Sequence, residues 1–266
     1  MKLKVAAWPI FCCPFSLQVV YGIGLPERRF VMSEMINAIF DRLDQWRHLP
    51  NYQLERRADI FFSMYLKGFL EQQIKLTLSD IIIPEFPLKR DLIWPDLPTN
   101  KSVKVDYVLF AKDKSKALFV ELKTDSSSRR DEQDEYLSKA REVGFHRFVE
   151  GFKDILLATS THQKYFHLAK MLAVLGFLQL PNGIEEYLYP SPRPGLTKQL
   201  KQIEVTDLQP EIEILYLQPK SNGDAGVKSF DQFAAYVAQF DDVLSQRFAQ
   251  SLNRWRTAAG NTTEKA

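Results

Sequence analysis

From Met32 onward the chain alternates between stretches of helical period and stretches of strand period. Ile36, Ile39, Phe40, Leu43 and Trp46 fall on one helix face, and Ser33 just before them is a good helix cap. Leu54, Ile60, Phe61, Met64, Tyr65 and Phe69 predict a second helix over 54–74. Residues 79–90 combine isoleucines with Pro84 and Pro87, which predicts an edge strand, because proline has no N–H to donate to a ladder. A proline-rich loop follows over 91–101. Residues 102–110 (SVKVDYVLF) and 117–124 (ALFVELKT) are rich in β-branched and aromatic side chains and predict two strands, with the lysine-rich AKDKSK between them as a hairpin turn. Residues 126–130 form a loop and cap. Helices are expected over 131–158, broken near Gly144, and over 162–178. Residues 184–209 carry Pro190, Pro192 and Pro194 and read as irregular. A strand over 211–218 is stopped by Pro219. A long helix over 229–256 sets Phe230, Phe233, Val237, Phe240, Leu244, Phe248 and Leu252 on one stripe. The order helix, three strands, helices, strand, helix predicts an α/β fold: a mixed central sheet flanked by helices, in one domain over 32–266 with its core at about 54–220.

Composition narrows the class without naming a function. The chain has 266 residues, of which 45% are apolar and 26% charged, ordinary values for a globular protein. They exclude collagen-like, disordered and disulfide-scaffold chains. No charge-free apolar run of membrane-spanning length follows residue 31, which excludes a polytopic membrane protein. The only cysteines are the adjacent Cys12 and Cys13, so neither a disulfide framework nor a multi-cysteine zinc site is available. The net charge is +2, so any anion-binding surface has to be local. Residues 1–31 stand apart as an N-terminal extension. Lys2 and Lys4 precede an uncharged stretch from Val5 to Pro26, the outline of a signal peptide, yet Pro9 and Pro14 interrupt it. A translation start set too early and an integrated strand are the alternatives.

The hairpin carries the candidate chemistry. Strict alternation places Val103, Val105, Tyr107 and Leu109 on one face of the first strand, with Lys104, Asp106, Val108 and Phe110 on the other. On the second strand, Ala117, Phe119, Glu121 and Lys123 share a face. Both faces are mostly apolar, so Asp106, Glu121 and Lys123 are charges set into a covered sheet, which are rare unless paired or bound to metal. A two-residue turn, or a four-residue turn at 112–115, puts Asp106 opposite Glu121 at roughly 4.5–5.5 Å between Cβ atoms. A loop at 113–116 pairs Asp106 with Lys123 instead, and a three-residue loop spreads the trio. Two carboxylates so close repel unless a cation lies between them, and an all-oxygen pair suits Mg²⁺ or Mn²⁺. With such a cation the trio is equipped for phosphodiester hydrolysis, Lys123 holding the attacking water or a phosphate oxygen. Glu-x-Lys alone carries no weight, since roughly two or three acid-x-Lys triplets are expected by chance in this composition. Its place at the end of an apolar strand, after an aspartate on the strand before, is what adds weight. The plain alternative is a surface hairpin with a cross-strand salt bridge.

VDYVLF followed by FVELKTD resembles the PD-(D/E)XK nuclease superfamily, the restriction-endonuclease-like fold, whose α-β-β-β-α-β core matches the order read for 54–218. The resemblance covers about half the chain. It implies Asp106 and Glu121 as metal ligands, with the backbone carbonyl of Leu122, and Lys123 as the catalytic lysine. It also implies a further glutamate from the first core helix: Glu55, with Glu71 as second choice. Some members follow the lysine with Gln-x-x-x-Tyr. Here Gln133 and Tyr136 are three apart, a departure from that pattern, though they still share a helix face.

Local charge points the same way. Residues 101–130 hold eight basic residues against four acids. Lys104, Arg129, Arg130 and Gln133 are the candidate nucleic-acid contacts. Against this, turn lysines are commonly just solvated, and DEQDE at 131–135 cancels the charge at once. His162 and His167 lie roughly 140° apart around a helix, a poor spacing for one metal. There is no Walker loop, GxGxxG or GxSxG. The stripe at 230–252 reads as a core face, with a homodimer seam as the alternative. The expectation is a Mg²⁺- or Mn²⁺-dependent nuclease acting on DNA in the cytoplasm, with no membrane partner. The alternative is a catalytically silent nuclease-fold protein that binds nucleic acid or a protein partner.

Overall fold

The computed structural model describes residues 25–96, 101–124 and 130–258. Two long helices open it, α1 (Leu25–Trp46) and α2 (Leu54–Ile74). Then come β1 (Ile83–Lys89), the single turn α3 (Arg90–Ile93), β2 (Ser102–Phe110) and β3 (Lys116–Leu122). Helices α4 (Asp131–Val143), α5 (Phe145–Ala158) and α6 (His162–Val174) follow. The predicted irregular stretch carries short elements: β4 (Leu178–Gln179), α7 (Ile184–Leu188), α8 (Leu196–Lys201) and β5 (Glu204–Val205). The chain closes with β6 (Glu211–Gln218), β7 (Val227–Ser229), α9 (Phe230–Val237) and α10 (Val243–Ala258).

The protein is an α/β fold built on a mixed five-stranded sheet, ordered β1-β2-β3-β6-β7. The first three strands are antiparallel, β6 runs parallel to β3, and β7 parallel to β6. β1 lies at the edge, where its two prolines are tolerated. Apolar side chains on both sheet faces bury separate cores. One gathers Phe110 and Phe119 with Leu137, Phe145, Phe148 and Phe152 from α4 and α5. The other gathers Leu109, Leu118 and Val120 with Phe62, Phe69, Phe233, Phe248 and Trp255 from α2, α9 and α10.

Several boundaries differ from expectation, each for a local reason. Helix α1 begins at Leu25 and runs through Ser33, so Ser33 is not its cap and the expected boundary at residue 31 falls inside a helix. Residues 1–24, including both cysteines, lie outside the described residues. The predicted helix over 229–256 is two helices. Ser229 and Gln232 cap α9 reciprocally, while Asp242 accepts the Ser245 N–H (2.9 Å) and starts α10 afresh. The aromatic stripe is spent within the chain: Phe230, Phe233, Val237, Phe248 and Leu252 are fully buried, while Phe240, at the break, is exposed. Helix α6 stops at Val174, ahead of Gly176 at φ +87°. The expected break near Gly144 is present, with φ +84° between α4 and α5.

Candidate active site

The hairpin turn spans residues 112–115, since the Ala111 N–H donates to the Lys116 carbonyl (2.9 Å), and this fixes the register. Tyr107 pairs with Val120 and Phe110 with Ala117, and the same register sets Asp106 opposite Glu121. The ladder ends at Tyr107–Val120. Past that pair the Leu122 N–H donates to Asp106 Oδ2 (2.8 Å) rather than to a backbone carbonyl of β2. On its other side β3 stays in register with β6, Leu122 opposite Leu217. The site therefore forms where β2 parts from β3.

Strict alternation also fails here. Val105 joins Val108 and Phe110 in one core, whereas Tyr107 and Leu109 join the other. The face expected to hold all of Val103, Val105, Tyr107 and Leu109 is thus split at Asp106. Across from Asp106, between the pairs Pro84–Tyr107 and Phe86–Val105, lies Glu85 with φ +52°. The β1–β2 register runs unbroken past this left-handed residue.

Glu121 has no exposed surface and Lys123 is 6% exposed. Lys123 Nζ lies 3.2 Å from Glu121 Oε2. The Gln133 amide donates to the same oxygen and to the Tyr136 hydroxyl (3.2 Å). That hydroxyl lies 3.1 Å from the Lys104 carbonyl and 3.4 Å from Glu121 Oε1. The Asp106 and Glu121 carboxyls lie close enough for each to perturb the other's titration. Burial, more than the neighbouring Asp106 charge, pushes the Glu121 carboxyl up to about 8. Burial raises Asp106 as well, opposed by the Leu122 N–H and the Lys123 charge. Two carboxyls held this way disfavour carrying both charges at once.

Glu55, in the first turn of α2, accepts the Thr124 N–H on Oε1 (3.0 Å) and lines a cavity of about 160 Å³ together with Asp106 and Leu122. Glu71 is not brought here: it accepts the Leu78 N–H (2.8 Å) and pairs with Lys67 (3.0 Å) at the other end of α2. Among the described residues, no group of three or more His, Cys, Asp and Glu side chains gathers closely enough to hold a metal ion. What stands there is the Asp106–Glu121 pair, with Glu55 across the cavity. A divalent cation that keeps most of its waters asks for one or two carboxylates, and this donor set fits it.

The expected nucleic-acid contacts fare differently. Lys104 is paired with Glu85 (2.7 Å). Gln133 lines the larger cleft, and its amide donates to Glu121 and Tyr136. Arg130 is exposed and lines a larger cleft of about 740 Å³ with Lys123, Gln133 and Tyr136. Arg129 lies outside the described residues. The local positive charge does not collect at the carboxylates. Lys112, Lys114 and Lys116 sit around the turn, six or more residues and roughly 20 Å along the strand from Asp106, and Lys116 pairs with Glu213 (2.7 Å). Sequence reading missed Arg90 and Trp94, which line the larger cleft from the proline-rich stretch after β1. That stretch has no periodicity to give them a face. It also missed Arg56, in the smaller cavity, whose only signal is that it neighbours Glu55. Comparison with protein-family models, with curated proteins and with solved structures finds no match to this chain.

Proposed function

We propose that this protein is a Mg²⁺- or Mn²⁺-dependent nuclease with a restriction-endonuclease-like core, hydrolysing phosphodiester bonds of DNA. The observation that carries the reading is the convergence of Asp106, Glu121 and Lys123 where β2 parts from β3. The element order α2, β1, β2, β3, α4, β6 supports the core assignment. Asp106 and Glu121 would hold the cation, with Glu55 and the Leu122 carbonyl at the edge of the smaller cavity. The chemistry such a cation supplies is a bound water of lowered pKa and neutralisation of charge developing on the phosphate. Lys123, buried as a point charge beside Glu121, orients the attacking water or a phosphate oxygen. Gln133 and Tyr136 hold the Glu121 carboxylate in one orientation. Asp106 is held by the Leu122 N–H. The reading includes a cytoplasmic protein, since a nuclease acting on intracellular nucleic acid needs no export. Among the described residues, no helix is long and apolar enough to cross a membrane.

A second reading, a nuclease-fold protein that binds nucleic acid without cutting it, is favoured by the lack of a three-carboxylate cluster among the described residues. Calorimetric titration with Mg²⁺ and Mn²⁺, alone and with uncleavable DNA, separates the two. The nuclease reading expects binding in the wild type that Asp106→Ala abolishes, and cleavage of DNA that Lys123→Ala lowers at least 100-fold, in line with loss of a charge acting on the transition state. Cation binding that survives Asp106→Ala, or cleavage unaffected by Lys123→Ala, would overturn it.

A further inference from the structure

The larger cleft beside the carboxylates has the lining of a site for a single nucleic-acid strand. Its floor is reached by Lys123, Gln133 and Tyr136, the groups that contact Glu121. Its wall is formed by Arg90, Trp94 and Val103. Trp94 also lines a neighbouring cavity of about 500 Å³ with Leu92, Pro95 and Lys139, so its ring stands on the ridge between two concavities. Only part of that ring is packed against the core. The Arg90 guanidinium lies 5.3 Å and the Lys139 ammonium 5.8 Å from the ring centroid, and the Tyr136 ring meets it edge-on at 6.3 Å. The indole face is thus already a place where polar cationic groups rest.

Charge and shape together choose the ligand. Among the described residues that line the cleft, Arg90, Lys123 and Arg130 are matched by Glu55, Glu132 and Glu135, so these residues supply no excess of positive charge to draw in a duplex backbone. Of the Asp106, Glu121 and Lys123 trio, Lys123 lines this cleft; Glu121, which it contacts, has no exposed surface, and the half-buried Asp106 lines the smaller cavity. At about 740 Å³ the cleft has the size of sites that enclose a small organic group. Recognition that relies on aromatic stacking more than on backbone charge is the mode used for single strands.

We propose that Trp94 is a stacking platform that seats a base of a single-stranded substrate beside the Asp106–Glu121–Lys123 centre, the base taking the place of Arg90 or Lys139 over the indole ring and the displaced cation meeting its phosphates. This names the substrate class of the reading above and rests on it for the identity of the centre. The platform itself is tested by binding alone.

The test is fluorescence anisotropy with a labelled DNA strand of about twelve nucleotides, carrying phosphorothioate linkages so that Mg²⁺ can be present without turnover. The same strand as a duplex and an RNA strand of equal length are measured beside it. Trp94→Leu keeps the apolar packing and removes the ring, while Trp94→Phe keeps a ring. The single strand is expected to bind at least tenfold more tightly than the duplex. Trp94→Leu should weaken single-strand binding about tenfold, and Trp94→Phe should recover most of the loss. Comparable thermal melting of the two variants shows that both are folded. If one is not, quenching of tryptophan fluorescence by the strand, present in the wild type and reduced in Trp94→Phe, reports the same contact. The RNA arm assigns the sugar: a preference for RNA would leave the platform in place and change its ligand. Equal binding by Trp94→Leu and wild type, or a duplex bound as tightly as the strand, overturns the platform. If in that case Asp106→Ala still abolishes cleavage, the nuclease reading stands without it. Trp94-dependent strand binding with no cleavage in any metal would do the reverse.

Discussion

Glu121 has no exposed surface, and its nearest carboxyl neighbour is another acid. Its charged form is disfavoured by burial first and by Asp106 second. An acid whose folded pKa is raised adds stability that is fully present below the unfolded value, near 4.5, and is lost as the pH climbs toward about 8. Metal-free protein should therefore melt at progressively lower temperature across that window. Glu121→Gln keeps an acceptor for Lys123 and Tyr136 and removes the charge. It is expected to raise the Tm at pH 8 by about 3 °C or more and to flatten the pH dependence, while abolishing cation binding. Thermal melts from pH 4.5 to 8 in EDTA, paired with calorimetry, check both halves. A Tm unchanged by the substitution would mean that Glu121 is not a strained carboxylate.

Helix α4 brings Gln133 and Tyr136 over the sheet, and its direction is set by the break to α5. Gly144 sits in that break with φ +84° and ψ +150°, a conformation open in practice only to glycine. A methyl group there would meet no atom within 4 Å, so the cost of Gly144→Ala is backbone strain alone. Denaturant unfolding is expected to show a loss of about 1–3 kcal/mol. Because the strain is relieved most readily by tilting α4, cation affinity should fall as well. A loss confined to stability would show that α4 is held by its own packing, through Leu137 and Ala140, without help from the turn.

At the scale of the molecule, the two ends of the described chain are tied across one core. Arg247 of α10 reaches Asp41 (2.7 Å) and Asp44 (2.9 Å) of α1, Trp255 donates to Asp44 Oδ1 (2.8 Å), and Arg254 reaches Asp44 Oδ2 (2.7 Å). Burial alone would raise the Asp44 carboxyl, but the hydrogen bonds from Arg247, Arg254, Ser251 and Trp255 outweigh it and hold the group below its usual range. A depressed acid contributes stability above its unfolded value, near 3.8, and that contribution is lost as the pH falls through the lower folded value. Asp44→Asn leaves Arg247, whose side chain is 7% exposed, with less compensation. The variant is expected to lose about 2–3 kcal/mol at pH 7 and to show a shallower acid limb below pH 4. Urea titrations at pH 7 and pH 3 measure both, and an equal loss at the two values would assign the effect to packing rather than charge.

Much of this was legible in one dimension. Period-2 runs at 102–110 and 117–124, two prolines in a short strand, and a glycine inside a helical run are local signals, and local sterics decide them wherever the chain lies. They placed β1 at an edge, β2 and β3 in a covered hairpin, and a break at residue 144. Identity and alternation also singled out Asp106, Glu121 and Lys123, and a shared helix face joined Gln133 to Tyr136. The register was open, because three loop lengths suit the same turn sequence, and packing on both sheet faces chose the turn at 112–115. Glu55 stood ahead of Glu71 as the helix glutamate, and the way α2 crosses the sheet sends Glu55 to Thr124 and Glu71 to Leu78. The lysines at 112–116 counted as local charge along the sequence, yet an extended strand carried them far from the carboxylates. Asp106 accepts the Leu122 N–H where the β2–β3 ladder ends, and Trp94 meets the cleft from the end of α3. Distances between segments far apart in sequence depend on how whole elements pack, so they were decided by the tertiary structure alone.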